Sequence, residues 1–366
     1  EDQRIESRAR FVSDHELALD DGRTVKAKRI VLATGSRTQR LPIFDGLGDR
    51  LVTNEDVFAW DDLPGSVAVF GAGVIGLELG LALKRLGVRV TLFGKGGFVG
   101  PLTDPSVRDR AREVFQRQLD FHPDVDAQPR RAATGVEVTF DGRSETFDLV
   151  LAATGRRPNV DDLGLASTTL ACDERGVPKH DPLTARCGDS HVFLAGDATD
   201  EEPLLHVASH EGRVAGGNAL RYPDIRRVPR PPGLSVVFTE PQIALVGETW
   251  SDLEAREADF AIGALDWSDQ GRARVMAVNE GLLHLYGDRG TGCLLGAEMV
   301  GPRAEHLAHL LAWSIQSGLA VDEILDRPFY HPVLAEGLRT ALRTLAREMR
   351  MGPPSPARCI DAGPGG

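Results

Sequence analysis

The stretch that decides the fold is residues 66–93, SVAVFGAGVIGLELGLALKRLGVRVTLF. An apolar strand, SVAVF, leads into a glycine turn, a helix that begins with Val74 and Ile75, and a second strand, VRVTLF. The turn carries Gly71, Gly73 and Gly76. In a nucleotide-binding turn the first glycine permits the tight bend, the second lets the backbone approach a pyrophosphate, and the third allows close helix–strand packing. The stretch therefore predicts a dinucleotide-binding unit, with phosphates at the start of the helix.

The end of the second strand leaves the nucleotide open between NAD and NADP. An NAD site usually has Asp or Glu here, which binds the 2′-hydroxyl of the adenine ribose. In this chain Gly94 and Lys95 follow the strand instead. Loss of the acid removes the repulsion of a 2′-phosphate, and Lys95 could attract one; the alternative is that Lys95 is a solvated loop charge. We therefore expect NAD or NADP.

Composition restricts the class of protein. The 366 residues suggest two or three domains. With 42 Lys and Arg against 54 Asp and Glu, the net charge of −12 disfavours nucleic acid and anionic membranes as partners. The longest apolar window contains Glu78 and many glycines, so it is a poor membrane span. Four cysteines without CxxC or CxxxxC spacing favour a reducing compartment, and we expect a cytoplasmic protein without a metal site.

Patterning along the chain predicts the other elements. Residues 10–19 read as one strand and residues 24–36 as a second strand. A helix is expected at 105–119, with Asp104 as its N-cap. After residue 233 an antiparallel sheet is expected, followed by two helices, and a disordered tail at the end. The sheet includes 272–281, the helices lie near 303–317 and 332–350, and the tail is 351–366.

Several motifs occur in a characteristic order. They are ATGS (33–36), GAGVIGLE (71–78), ATGRRPN (153–159), VFLAGDAT (192–199), PLLHVASHEG (203–212), VFTEPQIALVG (237–247) and FYHPVLAEGL (329–338). Together they resemble the class I pyridine nucleotide-disulphide oxidoreductases. Within that family they are most similar to the dihydrolipoyl dehydrogenases. The order of the motifs is far more specific than any single match.

The resemblance implies a fold and a set of domains. It implies an α/β homodimeric flavoprotein with two Rossmann-like domains, in which the NAD(P) domain is inserted into the FAD domain, plus a C-terminal α+β dimerisation domain. On this sequence the partial FAD-binding domain would be 1–62 and 184–230, the NAD(P)-binding domain 63–183, and the dimerisation domain 231–350.

The resemblance also implies cofactor-binding residues. For NAD(P) it adds Glu78, near the nicotinamide, and Gly155 in the second ATG turn. For FAD it implies the ATG motif, the aspartate of the GDA motif, and the turn whose backbone lies against the flavin. Those FAD residues are Thr34, Gly35, Asp197, Pro203, Leu204, Leu205 and His206.

The chemistry implied is oxidation of a dithiol through thiol–disulfide exchange, with electrons passing by way of FAD to NAD(P). For a dihydrolipoyl dehydrogenase the resemblance implies the reaction of dihydrolipoamide and NAD⁺ to lipoamide and NADH, with a small or protein-bound dithiol as substrate. It also implies a role in cell redox homeostasis. His331 matches the base and Glu336 the carboxylate that orients it. An ideal helix would not align positions five apart, so we expect the pair to form because His331 precedes the helix, with Pro332 in its first turn.

Two features of the family are absent from the sequence: a first GxGxxG turn for the FAD pyrophosphate and a CxxxxC redox pair. The resemblance therefore leads us to expect a member truncated at its N-terminus. Two alternatives stay open. One is another reductase of the family, glutathione reductase-like or transhydrogenase-like, and the other is an inactive NAD(P)-binding dimerising module.

Overall fold

The computed structural model describes residues 4–352, so the predicted tail lies outside the described residues except for Met351 and Gly352. None of the helices in this described part is long and apolar enough to cross a bilayer. The α-helices are α1 Asn54–Val57, α2 Val74–Arg85, α3 Pro105–Gln118, α4 Leu205–Arg221, α5 Trp250–Ala255, α6 Gly271–Val275, α7 Ala304–Gln316, α8 Val321–Leu325 and α9 Glu336–Glu348. The strands are β1 Ala9–Ser13, β2 Glu16–Leu19, β3 Thr24–Lys26, β4 Ile30–Leu32, β5 Ser36–Thr38, β6 Leu51–Val52, β7 Ser66–Phe70, β8 Arg89–Phe93, β9 Asp120–His122, β10 Gln128–Arg131, β11 Val136–Phe140, β12 Arg143–Phe147, β13 Leu149–Ala152, β14 Arg156–Pro158, β15 Val192–Leu194, β16 Leu234–Val237, β17 Gln242–Gly247, β18 Phe260–Asp266, β19 Leu282–Asp288 and β20 Leu294–Gly301.

The chain forms two compact units. In its described part, the first unit comprises residues 4–40 and 155–231, and the second comprises 41–154 and 232–352. The α/β fold class is confirmed. The domain boundaries that the resemblance implies stay a prediction.

The first unit contains three small sheets and helix α4. Strands β1, β2 and β3 form an antiparallel sheet, β4 pairs with β15 in parallel, and β5 pairs with β14 antiparallel. The prediction of one strand over 10–19 is wrong, because the chain turns at Asp14 and His15 and Ser13 pairs with Glu16. The prediction of one strand over 24–36 is also wrong, since β3 and β4 belong to different sheets. Neither break carries a glycine or proline that would have marked it.

The second unit is built on a parallel sheet in the order β6-β13-β7-β8-β9. Every residue of β7, SVAVF, is buried, as expected for a central strand covered on both faces. Its apolar core includes residues of α2 and α3, among them Leu77 and Phe115. The strand–turn–helix–strand predicted from residues 66–93 is confirmed.

The second unit also contains the predicted antiparallel sheet, in the order β16-β17-β20-β19-β18. Helices α7 and α9 pack on it through Leu307, Leu311, Leu338 and Leu342. The prediction of a strand within 272–281 is wrong, because α6 occupies part of it. The Gln270 side chain accepts a hydrogen bond from the backbone N–H of Ala273 and so caps a helical turn there.

Helix α3 begins as predicted at the Asp104 cap. One oxygen of Asp104 accepts from the backbone N–H groups of Ser106 (2.9 Å) and Val107 (3.1 Å). The other lies 2.7 Å from His284 Nδ1 and accepts from the Tyr286 hydroxyl at 3.0 Å. Burial alone would raise the pKa of Asp104, but the hydrogen bond from His284 and the other donors hold it below its usual 3.8. The cap therefore stays ionised at neutral pH and binds α3 to β19.

A second carboxylate at this junction is fully buried. Glu298, on β20, has no exposed surface and accepts four hydrogen bonds. The donors are Thr103 N (2.7 Å), Thr103 Oγ1 (2.5 Å), Asp104 N (3.0 Å) and Trp250 N (2.9 Å). Since a buried charge is tolerated only when it is hydrogen-bonded, this set of donors is what permits the carboxylate.

Glu298→Ala is expected to lower the free energy of unfolding by about 3–5 kcal/mol, because it leaves these buried donors unpaired. Denaturant unfolding measures the change. The control is Glu254→Ala on the exposed side of α5, expected to change stability by less than about 0.5 kcal/mol. A loss below about 1 kcal/mol for Glu298→Ala would show that the network contributes little.

Candidate active site

The glycine turn of the second unit is closed at its two ends and open in the middle. Gly71 has φ +116°, and a Cβ there would lie 2.1 Å from the carbonyl oxygen of Ala153. A Cβ at Gly76 would lie 1.8 Å from the carbonyl oxygen of Gly71. A Cβ at Gly73 would have no heavy atom within 4 Å. This is the geometry expected when the outer glycines make the bend and the middle one faces a ligand.

Helix α2 begins directly after this turn. Gly73 is its N-cap, and its carbonyl accepts the first helical bond, from Leu77 N at 3.0 Å. The N–H groups of Val74, Ile75 and Gly76 therefore lack a partner within the helix, as in any first turn. They are suited to bind phosphate oxygens.

Glu78 lies one turn further along α2. Its Oε1 accepts a hydrogen bond from the backbone N–H of Phe238 at 2.7 Å, which fixes the carboxylate beside the end of β16. This partner could not be predicted from local patterns, because Phe238 is 160 positions away.

Position 94, where the acid is missing after β8, leaves no room for a side chain. A Cβ at Gly94 would lie 2.7 Å from the carbonyl oxygen of Pro123 and 2.9 Å from Cβ of Ala72. Any side chain at position 94, a carboxylate included, would require the backbone to shift. Lys95, the next residue, is exposed.

A cleft of about 400 Å³ lies in the first unit. It brings together Gly35 and Asp197, two of the residues predicted to bind FAD. Thr34 adjoins the cleft, and its carbonyl accepts from the Asn159 side chain at 3.0 Å. The lining residues are Ala33, Gly35, Ser36, Arg156, Ala195, Gly196, Asp197, Ala208 and Gly212.

Asp197 is held in this cleft by residues that sequence reasoning did not name. The Ser36 hydroxyl donates to Asp197 Oδ2 at 2.8 Å, and Arg156 Nε donates to Ser36 Oγ at 2.7 Å and lies 3.7 Å from the same carboxylate oxygen. Ser36 ends the ATGS motif and Arg156 lies in ATGRRPN, so their motifs were the available signal.

The cleft fits the flavin cofactor in two respects. Six of its nine lining residues are glycine or alanine, which leaves room for a large flat group. Within residues 4–352 the second oxygen of Asp197, Oδ1, accepts no hydrogen bond, so it is available to a hydroxyl group of a ligand. Because Ser36 and Arg156 already fix Oδ2, the carboxylate is oriented before a ligand binds.

Other predicted cofactor residues in the first unit are placed as follows. Pro203 and Leu204 precede α4, while Leu205 and His206 open it and are exposed. They are not among the residues that line the cleft. Gly155 has φ +95°, and its carbonyl accepts from Gln39 N at 2.9 Å. Their roles toward cofactors stay predictions.

His331 and Glu336 come together at the start of α9. His331 Nδ1 lies 2.9 Å from Glu336 Oε1 and 3.1 Å from Oε2, and Val333 N donates to Oε2 at 3.1 Å. Pro332 was predicted to lie in the first turn of the helix, which is wrong, because α9 begins at Glu336. Residues 331–335 instead form turns closed by the Glu336 carboxylate, with Gly337 N bonded to the Leu334 carbonyl at 2.9 Å.

The pair differs in exposure. The His331 side chain is 80% exposed and that of Glu336 is 30% exposed. The hydrogen bond from His331 is the main cause that lowers the pKa of Glu336 below its usual 4.5. Glu336 is therefore ionised at neutral pH and accepts a hydrogen bond from the imidazole, while the rest of the ring faces solvent.

Comparison with known families agrees with this geometry. Residues 3–212 match the family described as pyridine nucleotide-disulphide oxidoreductase, and residues 234–342 match the dimerisation domain of that family. The chain belongs to the pyridine nucleotide-disulphide oxidoreductases. Members of this family use FAD and NAD and catalyse disulphide redox chemistry.

Individual relatives in the family have curated names. The chain is 30% identical over 357 residues to the dihydrolipoyl dehydrogenase of Haloferax volcanii, covering 92% of this chain and 73% of the relative. It is 32% identical over 362 residues to dihydrolipoyl dehydrogenase 2 of Haloarcula marismortui, covering 92% and 74%. Among solved structures, the HOCl-induced flavoprotein disulfide reductase RclA from Escherichia coli has a TM-score of 0.81 at 22% identity, covering 95% of this chain and 79% of that one. This last similarity supports the fold.

Proposed function

We propose that this oxidoreductase is a dihydrolipoyl dehydrogenase, which oxidises dihydrolipoamide to lipoamide with NAD⁺ as the final acceptor. The observation that carries the proposal is the His331–Glu336 pair, at 2.9 Å, in a member of a family that includes relatives of that name. In this reaction the dithiol loses two electrons and two protons. NAD⁺ takes both electrons and one proton, and the second proton is released.

His331 and Glu336 perform the proton transfer. Because an ionised carboxylate only accepts hydrogen bonds, Nδ1 of His331 carries the hydrogen and Nε2 has a free lone pair. Nε2 takes the proton of a substrate thiol, whose S–H bond breaks to leave the reactive thiolate. The Glu336 carboxylate then stabilises the imidazolium and keeps the ring from turning.

Other residues of the chain hold the cofactors. In the first unit Asp197, oriented by Ser36 and Arg156, would accept a hydrogen bond from a hydroxyl of FAD. In the second unit the turn at 71–76 and the first turn of α2 would hold the NAD pyrophosphate. When bound, FAD supplies a two-electron acceptor between thiols and nicotinamide.

A homodimer completes the proposal. The dimerisation-domain match supports it, as does a set of large apolar side chains exposed in the second unit, Leu310, Trp313 and Tyr330. His331 follows Tyr330 and projects into solvent, so it is accessible to the thiol of a substrate.

The absorption spectrum of the purified protein tests cofactor use. The protein is expressed from its complete reading frame. We expect flavin bands and release of about one FAD per subunit on denaturation. A colourless protein that takes up no added FAD would contradict the proposal and favour a nucleotide-binding dimerising module.

A further inference from the structure

We propose that Asp124 supplies the carboxylate that position 94 lacks, so that the nucleotide site selects NAD over NADP. This inference rests on the proposed function, because it assumes that the turn at 71–76 binds the pyrophosphate. The residues involved are the loop that follows β8, residues 94–97, and a second segment, residues 122–125. This second segment consists of the last residue of β9 and the three residues after it.

The two segments are joined side by side. In the parallel sheet β8 and β9 are neighbours, and their pairing continues beyond the ends of both strands. The bonds are Gly94 N to His122 O (2.7 Å), Val125 N to Gly94 O (3.1 Å) and Gly97 N to Pro123 O (3.2 Å). The same close approach excludes a side chain at Gly94, where a Cβ would contact Pro123.

Asp124 extends from the second segment onto the first. Its Oδ1 accepts from the backbone N–H of Gly96 at 2.7 Å. Within the described part of the chain its Oδ2 has no hydrogen-bond partner, and the residue is exposed. A carboxylate is therefore fixed at the carboxyl end of β8, where a nucleotide fold of this kind places the group that binds the adenine ribose.

The neighbouring cations do not offset this charge equally. The Arg112 guanidinium already has two partners: Nη1 lies 3.3 Å from Asp109 Oδ1, and Nη2 donates to the Gly97 carbonyl oxygen at 3.4 Å. Lys95 is exposed, and the side chain has no ion pair among residues 4–352. The long, flexible Lys95 side chain can extend into solvent, whereas the short Asp124 side chain is held by its hydrogen bond from Gly96 N. The fixed carboxylate accepts from ribose hydroxyls and repels a 2′-phosphate.

Fluorescence titration of NADH and NADPH against the purified protein tests the inference without relying on turnover. We expect NADH to bind at least about tenfold more tightly than NADPH. In Asp124→Asn, where the amide oxygen can still accept from Gly96 N, the ratio is expected to fall by about tenfold. Asp124→Ser, a second variant, is expected to lower the ratio in the same direction. The control is Asp126→Asn, which removes a charge two residues further along the chain, from a carboxylate that binds Gln128, and is expected to leave the ratio unchanged.

The outcomes are distinct. Tighter binding of NADPH by the unmodified protein, or a ratio unchanged in both Asp124 variants, would overturn the role of Asp124 while leaving the nucleotide site in place. Failure of the unmodified protein to bind either nucleotide would overturn the inference together with the proposed site at residues 71–76.

Discussion

Replacing His331 with glutamine is expected to lower turnover of dihydrolipoamide by about 10²- to 10⁴-fold, the range that general-base catalysis contributes. Glutamine retains a polar side chain but has no group that takes a proton near neutral pH. Because the His331 side chain is 80% exposed, its loss leaves no cavity, and the thermal stability and flavin spectrum should not change. Steady-state kinetics with dihydrolipoamide and NAD⁺ measure the effect.

Two further variants separate the catalytic role from a structural one. In Glu336→Gln the imidazole keeps a neutral partner but loses the charge that stabilises the imidazolium, so kcat should fall by about tenfold or more. The control His306→Gln removes another exposed histidine beside a glutamate, His306 Nε2 being 3.5 Å from Glu305, and should leave kcat unchanged. Unchanged turnover in His331→Gln would remove His331 from the mechanism.

Gly76→Ala is expected to lower the stability of the protein, whereas Gly73→Ala is expected to weaken nucleotide binding and leave stability nearly unchanged. In Gly76→Ala the new Cβ would meet the Gly71 carbonyl oxygen at 1.8 Å, so the turn must open. The free energy of unfolding should fall by about 3 kcal/mol, as for a severe overpacking change. In Gly73→Ala φ is −79° and the space is open, so stability should change by less than about 1 kcal/mol.

Nucleotide binding distinguishes the two glycine variants. The methyl group in Gly73→Ala stands where the backbone must approach the pyrophosphate, so NADH should bind at least about tenfold more weakly, a change of about 1.4 kcal/mol. Denaturant unfolding and NADH titration of both proteins measure the two effects. Full NADH affinity in Gly73→Ala would contradict the assignment of this turn to the pyrophosphate.

Local signals allowed much of the fold to be predicted. The glycine spacing at 71–76 predicted the strand–turn–helix, and Asp104 before Pro105 predicted a cap that the structure confirms. These features depend on neighbours in sequence. The turn at Asp14 and His15 was missed because it has no glycine or proline. Helix α9 begins later than predicted because the Glu336 side chain binds His331 and Val333 in the turns that precede the helix.

The candidate site was only partly predictable, since several of its contacts join distant positions. The motifs indicated His331, Glu336 and Asp197, and the structure shows the first two in contact. The hydrogen-bond partners of two predicted residues were not predicted, because they are distant in sequence. Ser36 is 161 positions from Asp197, and Phe238 is 160 positions from Glu78. The steric exclusion of an acid at Gly94 depends on Pro123 and was likewise not visible in sequence.

The most direct test of the proposed function is the rate of NADH formation from dihydrolipoamide and NAD⁺ by FAD-containing protein expressed from its complete reading frame. We predict turnover with kcat/KM of at least about 10⁴ M⁻¹ s⁻¹, the lower end of the usual enzyme range, and at least about tenfold less activity when dihydrolipoamide is replaced by glutathione. A flavin-containing protein without activity on dihydrolipoamide, or one that prefers glutathione disulfide with NADPH, would contradict the assignment.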